Sequence, residues 1–207
     1  MVKVLLFDFD GTIADSFENF LSILKTLSQK YRLPQLTSSE IEALRDEDAR
    51  NILKKFKIPF YKIPFLARDM KKLQEENISK IHLFKEIPDT LKELKRRKYT
   101  IGIITSNSQK NVEMLLRKNK IADVFTYIHS DTSLFGKDKV IKKFMKMHKL
   151  FANDVLYIGD EIRDIKACRK AGVKIAAVTW GYNSKKGLFQ NNPDYILKKP
   201  LDLFSIL

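Results

Sequence analysis

Five short, β-rich apolar runs, each ending in polar residues, constrain this chain more than any other feature. They are Val4–Phe9, Thr100–Thr105, Phe125–His129, Val155–Ile158 and Lys174–Val178. Between the later ones, apolar residues recur at helical spacing over Gln109–Asn119, Lys137–Leu150 and Arg163–Ala171. Strands alternating with helices predict βαβ units and a mostly parallel sheet, hence an α/β fold with its sites at the carboxyl ends of the strands. A last short run, Tyr195–Leu197, reads as an edge strand.

Residues 14–82 follow another pattern, with no convincing strand. Phe17, Phe20, Leu21, Leu24, Leu27 and Tyr31 mark one face of a helix. Thr37-Ser38-Ser39 before Glu40-Ile41-Glu42 reads as a second helix start. Asp48–Lys57 and Phe65–Lys80 read as two more helices, separated by Pro59 and Pro64. The expected organisation is a catalytic α/β core of residues 1–13 and 83–207 with a helical domain, 14–82, inserted after the first strand. A helix over Pro88–Lys98 leads back into the core.

Composition narrows the class. With 44% hydrophobic and 31% charged residues, the chain has ample material for a core. Its single cysteine, Cys168, excludes a disulfide framework and a four-cysteine zinc site. No apolar stretch reaches the ~20 residues of a membrane span, and Asp8 cuts the first apolar run too early for a secretory signal. A cytoplasmic, soluble protein is expected. The charge of +14 comes from scattered lysine pairs such as Lys71-Lys72, Lys142-Lys143 and Lys185-Lys186. Without a continuous basic block this reads as a solvated surface, not a nucleic-acid site.

The most informative segment is Leu5–Ser16, containing Asp8-Phe9-Asp10-Gly11-Thr12. A strand carries Asp8 to its carboxyl end, and side-chain alternation points Asp10 the same way. Paired carboxylates in a cleft are costly unless a cation or a shared proton offsets them. Gly11 lets the backbone turn and approach a ligand closely. Three further segments follow: Thr105-Ser106-Asn107 after the second strand, Gly136-Lys137 opening a helix, and Gly159-Asp160-Glu161-Ile162-Arg163-Asp164 after a later strand. A hydroxyl at a strand-to-helix turn suits an anion. A lysine in a first helical turn opposes the macrodipole and is a poor choice for stability alone. Asp160 or Glu161 also suits a helix N-cap, with Asp164 in the first turn.

In this order these segments resemble the motifs of the haloacid dehalogenase-like hydrolase superfamily, with phosphoglycolate phosphatase-like enzymes the nearest general match. The resemblance implies a Rossmann-like core with an inserted helical-bundle cap. It also implies a Mg²⁺-dependent phosphatase acting on a small phosphorylated metabolite. Asp8 would be the nucleophile and Asp10 the general acid–base. Thr105 or Ser106, with Gly11 and Lys137, would bind the phosphoryl group, Thr105 being favoured by strand phase. Asp8, the Asp10 carbonyl and Asp160 would hold the metal, and Asp164 would assist the metal or order Lys137. Asp138 stands where the family often has proline. Asp10 separates this chain from the carbon–halogen and phosphonate-cleaving branches. A sugar phosphomutase, or a non-catalytic regulatory or nucleic-acid-binding protein on this fold, remain the alternatives.

Arg45 lies where relatives carry a specificity loop and is the first choice for a specificity residue. His82, His129 and His148 are too far apart in sequence for a local metal motif, and Cys168 reads as buried filler. Trp180-Gly181-Tyr182 reads as structural. Hinges are expected near Ile13–Asp15 and Leu83–Glu86.

Overall fold

Six parallel strands form one sheet: β1 (Val4–Phe7), β4 (Thr100–Thr105), β5 (Tyr127–Ser130), β6 (Val155–Gly159), β7 (Lys174–Val178) and β8 (Tyr195–Leu197). A two-residue antiparallel pair, β2 (Ala14–Asp15) and β3 (His82–Leu83), stands apart from it. The structure is a computed structural model and describes residues 2–48, 51–52, 58–130 and 136–207. Among these, the helices are α1 (Phe17–Tyr31), α2 (Ser38–Leu44), α3 (Ile63–Asn77), α4 (Ile87–Arg96), α5 (Gln109–Lys118), α6 (Lys137–Met147), α7 (Ile162–Ala171) and α8 (Lys185–Gln190).

Strand order is β5-β4-β1-β6-β7-β8, so the chain builds outward from β1 in one direction and then in the other. The reversal leaves a crevice beyond the carboxyl ends of β1, β4 and β6, where open α/β sheets bind ligands. Phe7 pairs with both Ile103 and Ile158, so the residues after Phe7, Ile103 and Ile158 converge there. Alternation decides which side chain faces which layer. Leu5, Phe7, Ile101 and Ile103 pack with Leu91, Leu94 and Leu115 of α4 and α5 on one face. Val4, Leu6, Ile104 and Tyr157 pack with Ile141, Phe144, Ile165 and Cys168 of α6 and α7 on the other. Apolar layers on both faces explain why the strands read as continuous apolar runs.

The structure moves several expected boundaries. β1 stops at Phe7 instead of Phe9, because the Phe9 carbonyl accepts from the Ile13 and Ala14 N–H groups in a tight turn. Strand β5 starts at Tyr127, not Phe125, since Ala122–Val124 is a 3₁₀ turn closed by the Phe125 N–H on the Ala122 carbonyl. Pro64 separates nothing; it lies in the first turn of α3, where its missing N–H has no partner to lose. The pair β2–β3 ties the two ends of the helical segment together and is too short to leave a period-two signal. The helix expected over Asp48–Lys57 lies largely outside the described residues.

α2 begins at the expected place. Thr37 caps it, accepting from the Glu40 N–H while Glu40 accepts from the Thr37 N–H at 2.8 Å. α1 buries Ile23 and Leu27 and packs against α3, leaving Phe17, Phe20, Leu21 and Leu24 half-buried. The α1–α3 pairing is braced by Asp69, which accepts from Lys30 Nζ at 2.5 Å, Tyr31 Oη at 2.8 Å and Arg68 Nε at 3.1 Å. These donors, Lys30 foremost, hold the Asp69 carboxyl well below the usual carboxylate range. A depressed folded-state pKa adds stability that is complete above the unfolded value of ~3.9 and lost as pH falls below it. Asp69→Asn is therefore expected to flatten the loss of thermal stability between about pH 5 and pH 2, the window set by that linkage. Identical acid profiles for the two proteins would argue against the brace.

Candidate active site

Asp8, just past β1, is 1% exposed. Its Oδ1 accepts from the Phe9 N–H at 2.8 Å and its Oδ2 from Lys137 Nζ at 2.7 Å. Parity explains the second contact: Asp8 follows Val4 and Leu6 onto the face that α6 covers, and Lys137 is the first residue of α6. Gly136 precedes it with φ of 109°, a left-handed turn that glycine makes at little cost and that aims Lys137 back at the sheet. Lys137 Nζ also donates to Asp164 Oδ1 at 2.5 Å.

Asp164 is fully buried in the first turn of α7, and its second oxygen accepts from the Glu161 N–H at 3.2 Å. Asp164 thus touches Lys137 while its carboxylate also faces Asp8 and Asp160. Capping and site-building coincide here, since the carboxylate that caps α7 also holds the lysine. Burial alone would lower the Lys137 pKa, but Asp164 and Asp8 outweigh it and hold the ammonium above its usual range.

Asp160 is fully buried after β6. It accepts from Thr12 Oγ1 at 2.8 Å and from the Tyr182 N–H at 2.7 Å. Gly11, at φ 75°, and Gly181 both lie so close that a Cβ on either would collide with the Asp160 carboxylate. Trp180 Nε1 donates to the Thr12 carbonyl at 3.1 Å. The segment 180–182 thus contacts both Asp160 and the Thr12 carbonyl.

Asp8, Asp160 and Asp164 each turn a carboxylate oxygen to within 4.8 Å of the others. Burial, with neighbouring carboxylates adding to it, drives the Asp160 carboxyl well above its ordinary range. Such a cluster is stable as anions only beside positive charge, and Lys137 supplies one unit of it. All-oxygen donors with one lysine nearby fit a hard divalent cation such as Mg²⁺.

Asp10 sits apart from that cluster and is half-buried. Its Oδ2 accepts from Asn107 Nδ2 at 2.9 Å. Burial raises its pKa, and Asn107, then Ser16, oppose the rise. Thr105 ends β4, 2% exposed, and its hydroxyl accepts from the Asn107 N–H at 3.0 Å; half-buried Ser106 follows. Asn107, the last residue of the Thr105-Ser106-Asn107 turn, orients Asp10 and touches Asn111 and Ser130 as well. Nothing in one sequence separates this asparagine from an ordinary turn residue. The same holds for Thr12 and Tyr182, whose hydroxyl and amide support Asp160.

Arg45, just after α2, points toward the core. Nε donates to the Tyr182 carbonyl at 2.9 Å, Nη2 to the Gly181 carbonyl at 3.0 Å and Nη1 to Glu42 at 3.1 Å. Asn183 Nδ2 returns bonds to the carbonyls of Arg45 and Glu47 at 2.7 and 3.0 Å. Arg45 thus fastens the helical segment to the loop that braces Asp160. Its side chain is 24% exposed, and hydrogen bonds from a charged donor contribute ~1.5–3 kcal/mol. Arg45→Ala is expected to cost about 2 kcal/mol, or roughly 4–8 °C of thermal midpoint. Arg45→Lys should recover little, lacking the fork that spans two carbonyls. An unchanged midpoint in Arg45→Ala would show that the strap contributes nothing.

Comparisons with known proteins bear on the chain as a whole. A family model described as haloacid dehalogenase-like hydrolase matches residues 5–178. Phosphoglycolate phosphatase of Synechococcus elongatus is 28% identical, over 98% of this chain and 95% of that one. Pyrophosphatase PpaX of Bacillus mycoides is 27% identical, over 100% of this chain and 97% of its own. Among solved structures, a haloacid dehalogenase-like family hydrolase of Streptococcus pneumoniae superposes with a TM-score of 0.83 at 23% identity. It covers 99% of this chain and 98% of that one, a likeness of fold.

Proposed function

Since the chain belongs to the haloacid dehalogenase-like hydrolase family, we propose that it is a Mg²⁺-dependent phosphatase that hydrolyses a small phosphorylated metabolite through an aspartyl-phosphate on Asp8. The observation that carries this reading is the Lys137 bridge between Asp8 and Asp164 at 2.7 and 2.5 Å. It holds a carboxylate and a cation side by side at the crevice where a phosphoryl group would enter.

In this mechanism an Asp8 carboxylate oxygen bonds to phosphorus as the ester P–O bond breaks, dividing one difficult displacement into two. Asp10 gives its proton to the departing oxygen. It then takes a proton from the water that attacks the aspartyl-phosphate, returning Asp8 and releasing phosphate. Lys137, the Thr105 or Ser106 hydroxyl and the backbone at Gly11 bind the phosphoryl oxygens as charge redistributes. Asp164 fixes Lys137, and Asn107 fixes Asp10. Asp8, Asp160 and the Asp10 carbonyl would hold Mg²⁺, which when bound offsets the repulsion between carboxylate and phosphate. Residues 14–82 act as a cap over the leaving group, swinging on Ile13–Asp15 and Leu83–Glu86 to exclude water and release product. A free, buried Cys168 suits a reducing, cytoplasmic setting.

The direct test is phosphate release from a generic aryl phosphate ester with and without Mg²⁺. Removing the ion with a chelator is expected to lower turnover at least ~10²-fold, because a divalent ion contributes several kcal/mol to such steps. Turnover indifferent to chelation would overturn the metal assignment. Transfer of the phosphoryl group to a second sugar hydroxyl in place of water would identify a phosphomutase instead.

A further inference from the structure

Tyr157, in the middle of β6, carries the bulkiest fully buried side chain among the described residues. It lies on the sheet face it shares with Leu6 and Ile104. Its hydroxyl donates to the Ile104 carbonyl at 3.2 Å, so the side chain spans β1 and reaches from β6 to β4. A buried phenol needs such an acceptor. The carbonyl belongs to the peptide group whose nitrogen is that of Thr105, the last residue of β4. From the other side, Lys137 Nζ stands over the Tyr157 ring, 5.5 Å from its centroid. One side chain thus joins the end of β4 to the lysine that opens α6.

The ammonium has three N–H donors, and Asp8 and Asp164 accept two of them at 2.7 and 2.5 Å. Those bonds hold a point charge on a flexible stem from its carboxylate side alone. The face of an aromatic ring is the negative part of its quadrupole and attracts a cation within ~6 Å, more strongly where water is excluded. Water is largely excluded here, since the Lys137 side chain is 12% exposed and Tyr157 is fully buried. Leu6 and Ile104, the aliphatic neighbours on the same face, offer a cation no such attraction. The ring also keeps its field throughout a reaction cycle, whereas the Asp8 carboxyl loses its formal charge once it is bonded to phosphorus. Gly159 permits the arrangement, because a Cβ there would stand 2.5 Å from Asp164 Oδ2 and 3.0 Å from Tyr157 Cε1.

We propose that Tyr157 is a positioning residue for phosphoryl transfer, its ring being the platform that holds the Lys137 ammonium in place for the phosphoryl oxygens. The proposal rests on the phosphatase reading and adds to the site a residue from the middle of an apolar strand.

The test replaces Tyr157 with phenylalanine and then with mono-, di- and trifluorophenylalanine, which withdraw charge from the ring face with little change of shape. With Mg²⁺ present, each protein is measured for kcat/KM on an aryl phosphate ester, calorimetric affinity for inorganic phosphate, and thermal midpoint. Tyr157→Phe keeps the ring and is expected to stay within about threefold of the parent, the loss being that of the Ile104 hydrogen bond. Along the fluorinated series kcat/KM and phosphate affinity should fall stepwise, by about tenfold at the trifluoro ring, the scale of a desolvated cation–π contact. The midpoint should stay level. In Lys137→Ala, phosphate affinity should no longer follow fluorination. A side chain that only filled the core would give no fluorine slope. A flat series in an active enzyme, or a slope that persists without Lys137, would overturn the platform and leave the phosphatase reading standing. Phosphate affinity that follows fluorination in a protein that turns over no ester would overturn the phosphatase reading and leave the platform.

Discussion

Asp8→Asn is expected to abolish turnover, with kcat/KM falling at least ~10³-fold, as when a covalent catalyst is removed. The amide cannot form the acyl-phosphate, and one metal-facing oxygen is lost. Packing changes little, since asparagine is nearly isosteric and the Phe9 N–H keeps an acceptor. Asp8 is also one of three buried carboxylates crowded within 4.8 Å, so neutralising it relieves repulsion even as Lys137 loses one of two partners. The thermal midpoint should therefore stay within a few degrees of the parent, the shift that about 1 kcal/mol produces at this size. Acid quenching during turnover should trap phosphate on Asp8 in the parent and none in the variant. Appreciable Mg²⁺-dependent activity in a folded Asp8→Asn protein would sink the covalent mechanism.

Asp10→Asn should slow both half-reactions by roughly 10²–10⁴-fold, the usual worth of a general acid–base. The two steps separate the role from simple disruption. A leaving group of low pKa needs no proton, so phosphoryl transfer from an aryl ester should suffer far less than transfer from an alkyl ester. Hydrolysis of the aspartyl-phosphate still requires a base, so the phosphoenzyme should accumulate in the variant during aryl ester turnover. Asn107→Ala removes the amide that orients Asp10 and should show the same leaving-group dependence in weaker form. Equal losses for good and poor leaving groups in the transfer step would count against Asp10 as the acid.

Much of the frame was readable in one dimension. The runs Thr100–Thr105, Lys174–Val178 and Tyr195–Leu197 are strands with the expected bounds, and α1 and α2 start where apolar spacing and the Thr37 cap put them. These features rest on neighbours two to four residues apart, so their cause lies wholly in the local sequence. The ends of β1 and β5 were missed for the same reason turned round: the turns at Phe9 and Ala122 are made by backbone bonds that leave no apolar signature.

What the sequence by itself determined is the alternation of strands and helices, the helical character of α1, α2 and α3, and a set of carboxylates and a lysine at element ends. Only the tertiary structure decided how those groups meet. The contacts of Lys137 with Asp8, Asn107 with Asp10, Thr12 with Asp160 and Arg45 with Tyr182 span 129, 97, 148 and 137 residues. Periodicity carries no information at such separations. They exist because β1 lies between β4 and β6, which is a property of strand order and of the crossover hand. The same holds for Arg45, which sequence position suggested as a specificity residue and whose guanidinium is turned onto two carbonyls of the core.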